Sequence, residues 1–304
     1  MILFLEQLLN GLQYGVTLFL LAAGLTLIFG IMGVINLAHG SLYMVGAYAG
    51  TLVAAETGSF WLGLPAALGA AAITGLAIEA LVIRRLYARD HLDQVLATFA
   101  LILTFNQLIV LGFGRQPVFT TMPAAFSGSV EILPGLPYPT YRLLIIAVGL
   151  LVALGLWVLI NRTRVGMLVR AGATHRDMVR ALGVDIRMLY TVVFGLGALL
   201  AGLAGYMAGP IGAVQVGMGE QILLATFVVV VVGGVGSIKG AFVGGILLGV
   251  VDTMLRAFLP TLLRQIMPAS DADQMGIGLA SMGIYLLMAL VLLIRPRGLF
   301  AAGG

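Results

Sequence analysis

The chain has 304 residues, of which 61% are hydrophobic and 9% are charged, and its formal net charge is +4. A soluble domain carries about 25% charged residues, so this composition excludes a soluble fold and indicates a polytopic membrane protein. Cysteine is absent, which excludes disulfides and thiolate metal sites. The basic residues mostly flank apolar runs, a pattern typical of membrane topology, and no nucleic-acid partner is predicted.

Nine apolar windows have the length of a membrane-spanning helix. They cover residues 8–30, 34–55, 61–83, 94–113, 142–160, 189–209, 221–237, 241–259 and 276–294. The first two windows nearly touch, so one of them is expected to be broken or re-entrant, and eight full spans is the alternative count. The predicted fold class is therefore all-α, with residues 1–304 forming a single transmembrane domain.

Arginine clusters predict which connections face the cytoplasm, because cytoplasmic loops are enriched in basic residues. Three arginine-containing regions agree on one topology, in which all three face the cytoplasm. They are the loop with Arg84 and Arg89, the segment 161–188 and the C-terminal region with Arg295 and Arg297. The connections left outside are 114–141, 210–220 and 260–275. The N-terminus is then outside with nine spans and inside with eight.

The external loop 114–141 contains five prolines and cannot form a continuous helix. Its several apolar residues make a flexible linker a poor description. We predict a structured external cap that could serve as a docking surface, with an ordinary connecting loop as the alternative.

The first glycine-rich interruption of the apolar pattern covers residues 29–43 and contains polar side chains. Asn36, His39, Gly40 and Tyr43 recur at helical spacing on one face, with Ser41 beside them. A broken helix within a membrane is tolerated only against protein or a water-filled path, and such breaks mark transport routes. These five residues are predicted to line a pathway, and an interhelical hydrogen-bond seam is the alternative.

A second glycine-rich stretch, residues 232–245, predicts tight helix packing at a cytoplasmic junction. The glycines expected to make this packing are Gly233, Gly234, Gly236, Gly240 and Gly244. Lys239 is expected to reach the membrane surface rather than to bind a solute. The two interruptions share a crude pattern, which makes an internal repeat an open alternative.

Other polar residues within the spans have structural explanations. Asp252 and Arg256 lie four residues apart and are expected to form an ion pair. Asn106 is expected to bond a neighbouring helix. Glu220 begins a span, where the helix dipole favours an acidic residue.

The segment 161–188 holds six of the sixteen basic residues, all of them arginines. Thr174 and Asp177 have the spacing of a capping box, and Gly183 is a natural helix stop. Asp185 can cap the helix that follows. A short cytoplasmic helix is therefore predicted between two membrane spans.

The predicted cytoplasmic helix is amphipathic. Met178, Val179 and Leu182 are expected to form its apolar face, with Arg176 and Arg180 on another face. Such a helix could contact a partner protein, and the alternative is that it rests on anionic lipid head groups.

Several sequence motifs of catalysis are absent. There is no GxxxxGK[ST] phosphate-binding loop, so this chain is not expected to hydrolyse ATP, and neither HExxH nor GxSxG occurs. An intramembrane enzyme would have to rely on His39 and Ser41 alone. A channel or secondary carrier is a further alternative, but it would not need the cytoplasmic helical segment.

Three stretches of sequence resemble LivH-type permeases, the membrane subunits of branched-chain amino acid ABC importers. They are residues 23–48, 170–184 and 233–245, in the same order as in that family. The likeness extends over essentially the whole chain. Urea and short-amide importers use closely similar permeases, so the solute stays open between these classes. Lys239 departs from the pattern, which would place a small residue or proline there.

The resemblance implies an ABC importer permease of the broken-helix, type II-like kind in the bacterial inner membrane. The implied partners are a second, LivM-like permease, two cytoplasmic ATPase subunits that bind the ATP, and a periplasmic solute-binding protein. No cofactor is implied for this chain, and whether the permease pairs as a heterodimer or a homodimer stays open. By analogy the cytoplasmic helix couples to an ATPase. The implied coupling residues are Arg170, Arg176, Asp177, Met178, Val179, Arg180, Leu182 and Gly183.

Overall fold

The computed structural model describes residues 1–87, 89–174 and 176–300, without the side chains of residues 174, 176 and 177. Helices account for most of these residues. They are α1 (Ile2–Met32), α2 (His39–Thr57), α3 (Phe60–Ile78), α4 (Arg84–Leu86), α5 (His91–Phe113), α6 (Thr140–Arg162), α7 (Arg164–Thr174), α8 (Arg176–Ala181), α9 (Ile186–Ala208), α10 (Met218–Gly233), α11 (Ile238–Leu263) and α12 (Ala269–Ile294). A π-helical turn, Glu79–Ile83, joins α3 to α4.

Seven helices in the described part of the chain are long and apolar enough to cross a membrane by length and composition. They are Ile2–Met32, Phe60–Leu86, His91–Phe113, Thr140–Arg162, Ile186–Ala208, Ile238–Leu263 and Ala269–Ile294. α2 is not among them, and α10 is a shorter apolar helix. Every predicted apolar window overlaps one of these nine helices, which confirms an all-α polytopic fold.

The interruption predicted between the first two windows is confirmed. α1 ends at Met32, and Gly33 follows with a φ of 65°, a left-handed conformation that favours glycine. The chain becomes helical again only at His39, five residues after the predicted start at residue 34. The window 221–237 was likewise too long, because α10 ends at Gly233 and the backbone turns at Gly234 and Gly236.

The chain divides into two compact units. The first comprises Met1–Phe19, Ala124–Leu150 and the chain from Ala225 onward. Here α1 packs closely on α11: a Cβ atom added to Gly15 would lie 2.7 Å from the Cα of Ile246. Small residues at such contacts let two helix backbones approach, as is common in membrane proteins. α11 also packs along α12.

Two ion pairs and a hairpin complete the first unit. Arg256 Nε lies 2.8 Å from Asp252 Oδ2, so the predicted pair is confirmed. Arg264 and Asp273 form a second, exposed pair. In the proline-rich loop, β1 (Ser129–Leu133) and β2 (Leu136–Pro139) form an antiparallel hairpin.

The second unit comprises Leu20–Pro123 and Leu151–Leu224. Its centre is a three-helix contact of α2, α3 and α9. A Cβ on Gly46 of α2 would lie 2.5 Å from the Cα of Gly202 of α9, so these backbones touch. The Tyr206 hydroxyl donates to the Phe60 carbonyl oxygen over 2.7 Å, and the two rings stack.

Candidate functional site

The start of α2 contains two buried polar side chains that are incompletely bonded. Asn36, in the turn before the helix, is fully buried, and neither its amide nitrogen nor its amide oxygen has a partner among the described residues. His39 is also fully buried, and its Nε2 lies 3.2 Å from the Leu21 carbonyl oxygen. Because a carbonyl only accepts, Nε2 must carry the proton, and Nδ1 is left as an unpartnered acceptor.

The other three residues predicted for the pathway lie in the same buried region. Gly40 packs so closely on Gly219 of α10 that a side chain at either position would enter the other's backbone. Ser41 and Tyr43 are buried within the first turns of α2. The structure therefore brings the five predicted residues together, where the chain resumes its helix and α10 begins.

A polar contact beside this region connects α5 to α10. The Asn106 amide donates a hydrogen bond to the Glu220 carboxylate, which lies in the first turn of α10 and is exposed. The expected bond from Asn106 to a neighbouring helix is confirmed. The sequence assigned Glu220 only a dipole role, because local periodicity cannot pair residues 114 positions apart.

The glycine-rich junction between α10 and α11 is closely packed. Gly233 and Gly240 press backbone against backbone, and a Cβ on Gly244 would lie 2.9 Å from the Val229 carbonyl oxygen. Ser237 caps α11 by accepting from the Gly240 amide. Lys239 is exposed. Small residues are therefore sterically required at this junction.

The segment 161–188 forms the short helices α7 and α8, and the three residues predicted for one apolar face do not share one environment. Met178 is 63% exposed and Leu182 is 77% exposed, whereas Val179 is only 4% exposed. The prediction of one face containing all three residues was wrong in this respect. Adjacent helical residues are rotated by about 100°, so Val179 points into the unit while Met178 and Leu182, four residues apart, point outward.

The C-terminal end of this segment follows the sequence predictions. Gly183 has a φ of 82° and ends the helical stretch. The Asp185 carboxylate caps α9 by accepting from the Arg187 and Met188 amides at 2.9 and 3.3 Å. Arg180 is exposed.

The structure describes only some of the remaining predicted residues of the segment. Arg170 donates a hydrogen bond to the Ile160 carbonyl oxygen. The predicted capping box of Thr174 and Asp177, and the predicted position of the Arg176 side chain, lie outside the described side chains. His175 lies outside the described residues.

A buried carboxylate to which no sequence pattern pointed joins the end of α3 to the start of α9. Glu79 is fully buried in the π-helical turn and accepts two hydrogen bonds from Arg84, at 3.2 and 2.8 Å. Its oxygens also accept from the Tyr87 hydroxyl at 2.5 Å and the Thr191 hydroxyl at 3.0 Å. Burial and the hydrogen bond to the carboxylate raise the pKa of Tyr87. Of these bonds, the one from Thr191 joins the π-helical turn at the end of α3 to α9.

Residues 7–294 match a protein family described as branched-chain amino acid transport system, permease component. The chain belongs to this family. It is therefore a subunit of a transport system and not itself an enzyme, and it works with other subunits of that system. As a member of this permease family with seven helices able to span a membrane, it is a multi-pass protein of the inner membrane.

Individual relatives agree with the family match and with the predicted resemblance. The high-affinity branched-chain amino acid transport system permease protein BraD of Pseudomonas aeruginosa is 32% identical, over 97% of this chain and 95% of that protein. LivH of Escherichia coli, of the same description, is 28% identical over 97% and 95%. The ribose import permease RbsC of Escherichia coli is 26% identical over 83% of this chain and 78% of its own. No solved structure matches the chain significantly.

Proposed function

We propose that the chain is the membrane-spanning permease subunit of an ATP-driven importer, and that it forms half of a translocation pathway for branched-chain and other hydrophobic amino acids. Its family and the names of its relatives BraD and LivH support this assignment. RbsC matches less of the chain, so its solute class has less support here.

The observation that carries the proposal is the polar start of α2. Leaving a buried polar group without a hydrogen bond costs about 1–3 kcal/mol, and Asn36 carries this cost on both amide atoms. A structural hydrogen-bond seam would satisfy these atoms. A pathway lining explains them, because the same atoms meet water and solute when the pathway opens. We assign Asn36, His39, Gly40, Ser41 and Tyr43 to this lining.

The position of this turn along the helices agrees with a pathway role. His39 bonds the carbonyl of Leu21, which lies 11 residues before the last residue of α1, Met32. At 1.5 Å per residue this is about 16 Å from the end of α1, roughly half of the ~30 Å hydrocarbon thickness. Solute sites of transporters lie at such interrupted helices near the middle of the membrane.

The coupling role is assigned to the segment 161–188, which the arginine pattern places in the cytoplasm. Met178 and Leu182 present an apolar surface that no described part of the chain covers, with Arg180 beside it and Val179 anchoring the helix from within. We propose that a cytoplasmic ATPase receives this surface. Arg170, Arg176, Asp177 and Gly183 keep their predicted supporting roles.

The proposed assembly has the partners implied by the family resemblance. A second, LivM-like permease completes the pathway, two cytoplasmic ATPases bind and hydrolyse ATP, and a periplasmic binding protein delivers the solute. We propose that the binding protein docks on the external loop 114–141, where the hairpin β1–β2 gives the loop a defined structure. This chain then needs no cofactor of its own.

The solute assignment is tested with the purified complex in liposomes that contain ATP. Uptake of radiolabelled leucine, urea and ribose is measured, each with the binding protein encoded beside the permease. We expect leucine to be transported and the other two to be excluded. Uptake of urea or ribose without leucine would overturn the solute class.

The coupling assignment is tested with Leu182→Asp. A carboxylate placed in an apolar cleft should abolish ATP-driven uptake and the stimulation of ATPase activity by loaded binding protein, while the chain stays in the membrane. Met167→Asp is the matched control, since Met167 is an exposed apolar residue of α7 in the same segment. ATP-driven uptake that survives Leu182→Asp would show that the coupling surface lies elsewhere.

A further inference from the structure

We propose that Glu220, held in place by Asn106, binds the ammonium group of the transported amino acid. This inference rests on the proposed transport function and adds to it a charged solute contact. Three observations carry it: the position of Glu220 along the helices, its exposure and its lack of a positively charged partner.

Glu220 lies at the same level as the polar start of α2. Gly219, its neighbour in sequence, packs directly against Gly40, one residue after His39. On α5, Asn106 is 15 residues after the first residue, His91, which is about 22 Å along the helix. Both measures place the carboxylate within the ~30 Å hydrocarbon layer rather than at its edge.

The carboxylate is not covered by its own chain. Glu220 is exposed, and so are its polar neighbours Gln221 on α10 and Gln107 on α5. An ionised side chain facing lipid at this depth costs about 2.5–3.5 kcal/mol or more, so such residues face a water-filled cavity or a partner. In the proposed assembly, where a second permease completes the pathway, the face that carries Glu220 is turned toward that pathway.

The charge of Glu220 is not compensated within the described chain. Its carboxylate accepts the Asn106 amide, and none of the ion pairs formed by the described residues includes it. A carboxylate has about four acceptor positions, so most of its capacity is unused. A primary ammonium brings three donors and the opposite charge. Urea and sugars bring donors but no charge.

The surroundings also suit an aliphatic amino acid. Phe105 and Met218, on the same two helices, are partly buried and pack against the apolar cluster of Met44, Tyr48 and Val214. The Tyr48 hydroxyl in this cluster is buried without a partner among the described residues. Nearby, Asn36 and His39 also have unused polar atoms. A carboxylate beside apolar surface and unused polar atoms matches a solute with one charged end and one apolar end.

The alternative is that Asn106 and Glu220 only hold α5 to α10. Glu220→Gln separates the two explanations, because an amide of the same shape keeps the hydrogen bond from Asn106 and removes the charge. Asp273→Asn is the matched control, since Asp273 is a partly exposed carboxylate whose charge is already paired with Arg264.

The experiment uses the complete transporter in liposomes with saturating leucine-loaded binding protein. We expect Glu220→Gln to lower the maximal rate of leucine uptake at least tenfold, while complex assembly and basal ATPase activity stay within twofold of wild type. Asp273→Asn should transport like wild type. Leucine uptake by Glu220→Gln at the wild-type rate would overturn the site. Absence of leucine uptake by the wild type would overturn the proposed function instead.

A second variant keeps the test decisive if the glutamine variant assembles poorly. This chain has no cysteine, so Glu220→Cys can be modified selectively in a complex whose other subunits carry no reactive cysteines. A sulfonatoethyl thiosulfonate restores a negative charge at the site, and an aminoethyl thiosulfonate adds a positive one. We expect uptake to recover at least fivefold with the first reagent only. Recovery with both reagents, or with neither, would overturn the proposal.

Discussion

Replacing Gly46 by alanine should destabilise the second unit, although alanine is the better helix former. The added Cβ would lie 2.5 Å from the Cα and 2.9 Å from the carbonyl oxygen of Gly202, whereas carbon atoms pack best at about 3.5–4.0 Å. Both opposing atoms belong to a helix backbone, so α2 and α9 must separate by about 1 Å. Overpacking of this kind costs about 1–3 kcal/mol, and the backbone clash places Gly46→Ala near the upper value. Subtracting a helix-propensity gain of about 1 kcal/mol leaves a loss of about 2 kcal/mol.

Gly69→Ala is the matched control, since a Cβ on Gly69 of α3 would have nothing within 4 Å. That variant should gain about 0.5–1 kcal/mol from helix propensity alone. Thermal denaturation of the detergent-solubilised chain measures both changes. At about 2–4 °C per kcal/mol, Gly46→Ala should melt about 4–8 °C below wild type and Gly69→Ala slightly above it. Equal melting temperatures for the two variants would refute the close packing of α2 on α9.

Three further substitutions test other parts of the structure. Glu79→Gln removes the charge that binds the Arg84 guanidinium, and it should lower the free energy of unfolding by about 1.5–3 kcal/mol. The control Glu56→Gln changes an exposed carboxylate and should lower it by under about 0.5 kcal/mol. Equal melting temperatures for the two variants would contradict the buried network. Asp185→Ala removes the cap of α9 and should cost about 1 kcal/mol, with Asp185→Asn close to wild type; an unchanged melting temperature for the alanine variant would argue against the cap. Asn36→Ala removes an unpartnered amide, so the melting temperature should stay the same or rise while leucine uptake falls. Normal leucine uptake by this variant would contradict the assignment of Asn36 to the pathway lining.

Local sequence pattern was sufficient to predict the long helices of this fold, but not the hairpin β1–β2, the π-helical turn or the helix α7. The apolar windows located the long helices, and the glycine after Met32 marked the break before α2. The cap at Asp185 and the stop at Gly183 were also readable, because each depends on neighbouring residues. Where the windows failed, at the ends of α2 and α10, turns without a charged residue were indistinguishable from apolar helix.

Contacts between distant residues could not be predicted in this way. The bond between Thr191 and Glu79 joins positions 112 apart, and no periodicity reports it. The direction of Val179 depended on which side of a very short helix meets the rest of the unit. The proposed role of Glu220 depends on the exposure of its carboxylate as well as on its residue type, and the packing of α2, α5 and α10 determines that exposure.

The central claim is that ATP drives net import through this subunit, and accumulation against a gradient tests it most directly. Liposomes containing the assembled complex are given internal ATP and external binding protein with leucine, and the internal leucine concentration is followed without any ion gradient. We expect leucine to accumulate to at least tenfold its external concentration with ATP, and no uptake with ADP. Equilibration to a ratio of one without ATP would identify a channel, and accumulation that needs an ion gradient would identify a secondary carrier; either result would contradict the assignment as an ATP-driven importer subunit.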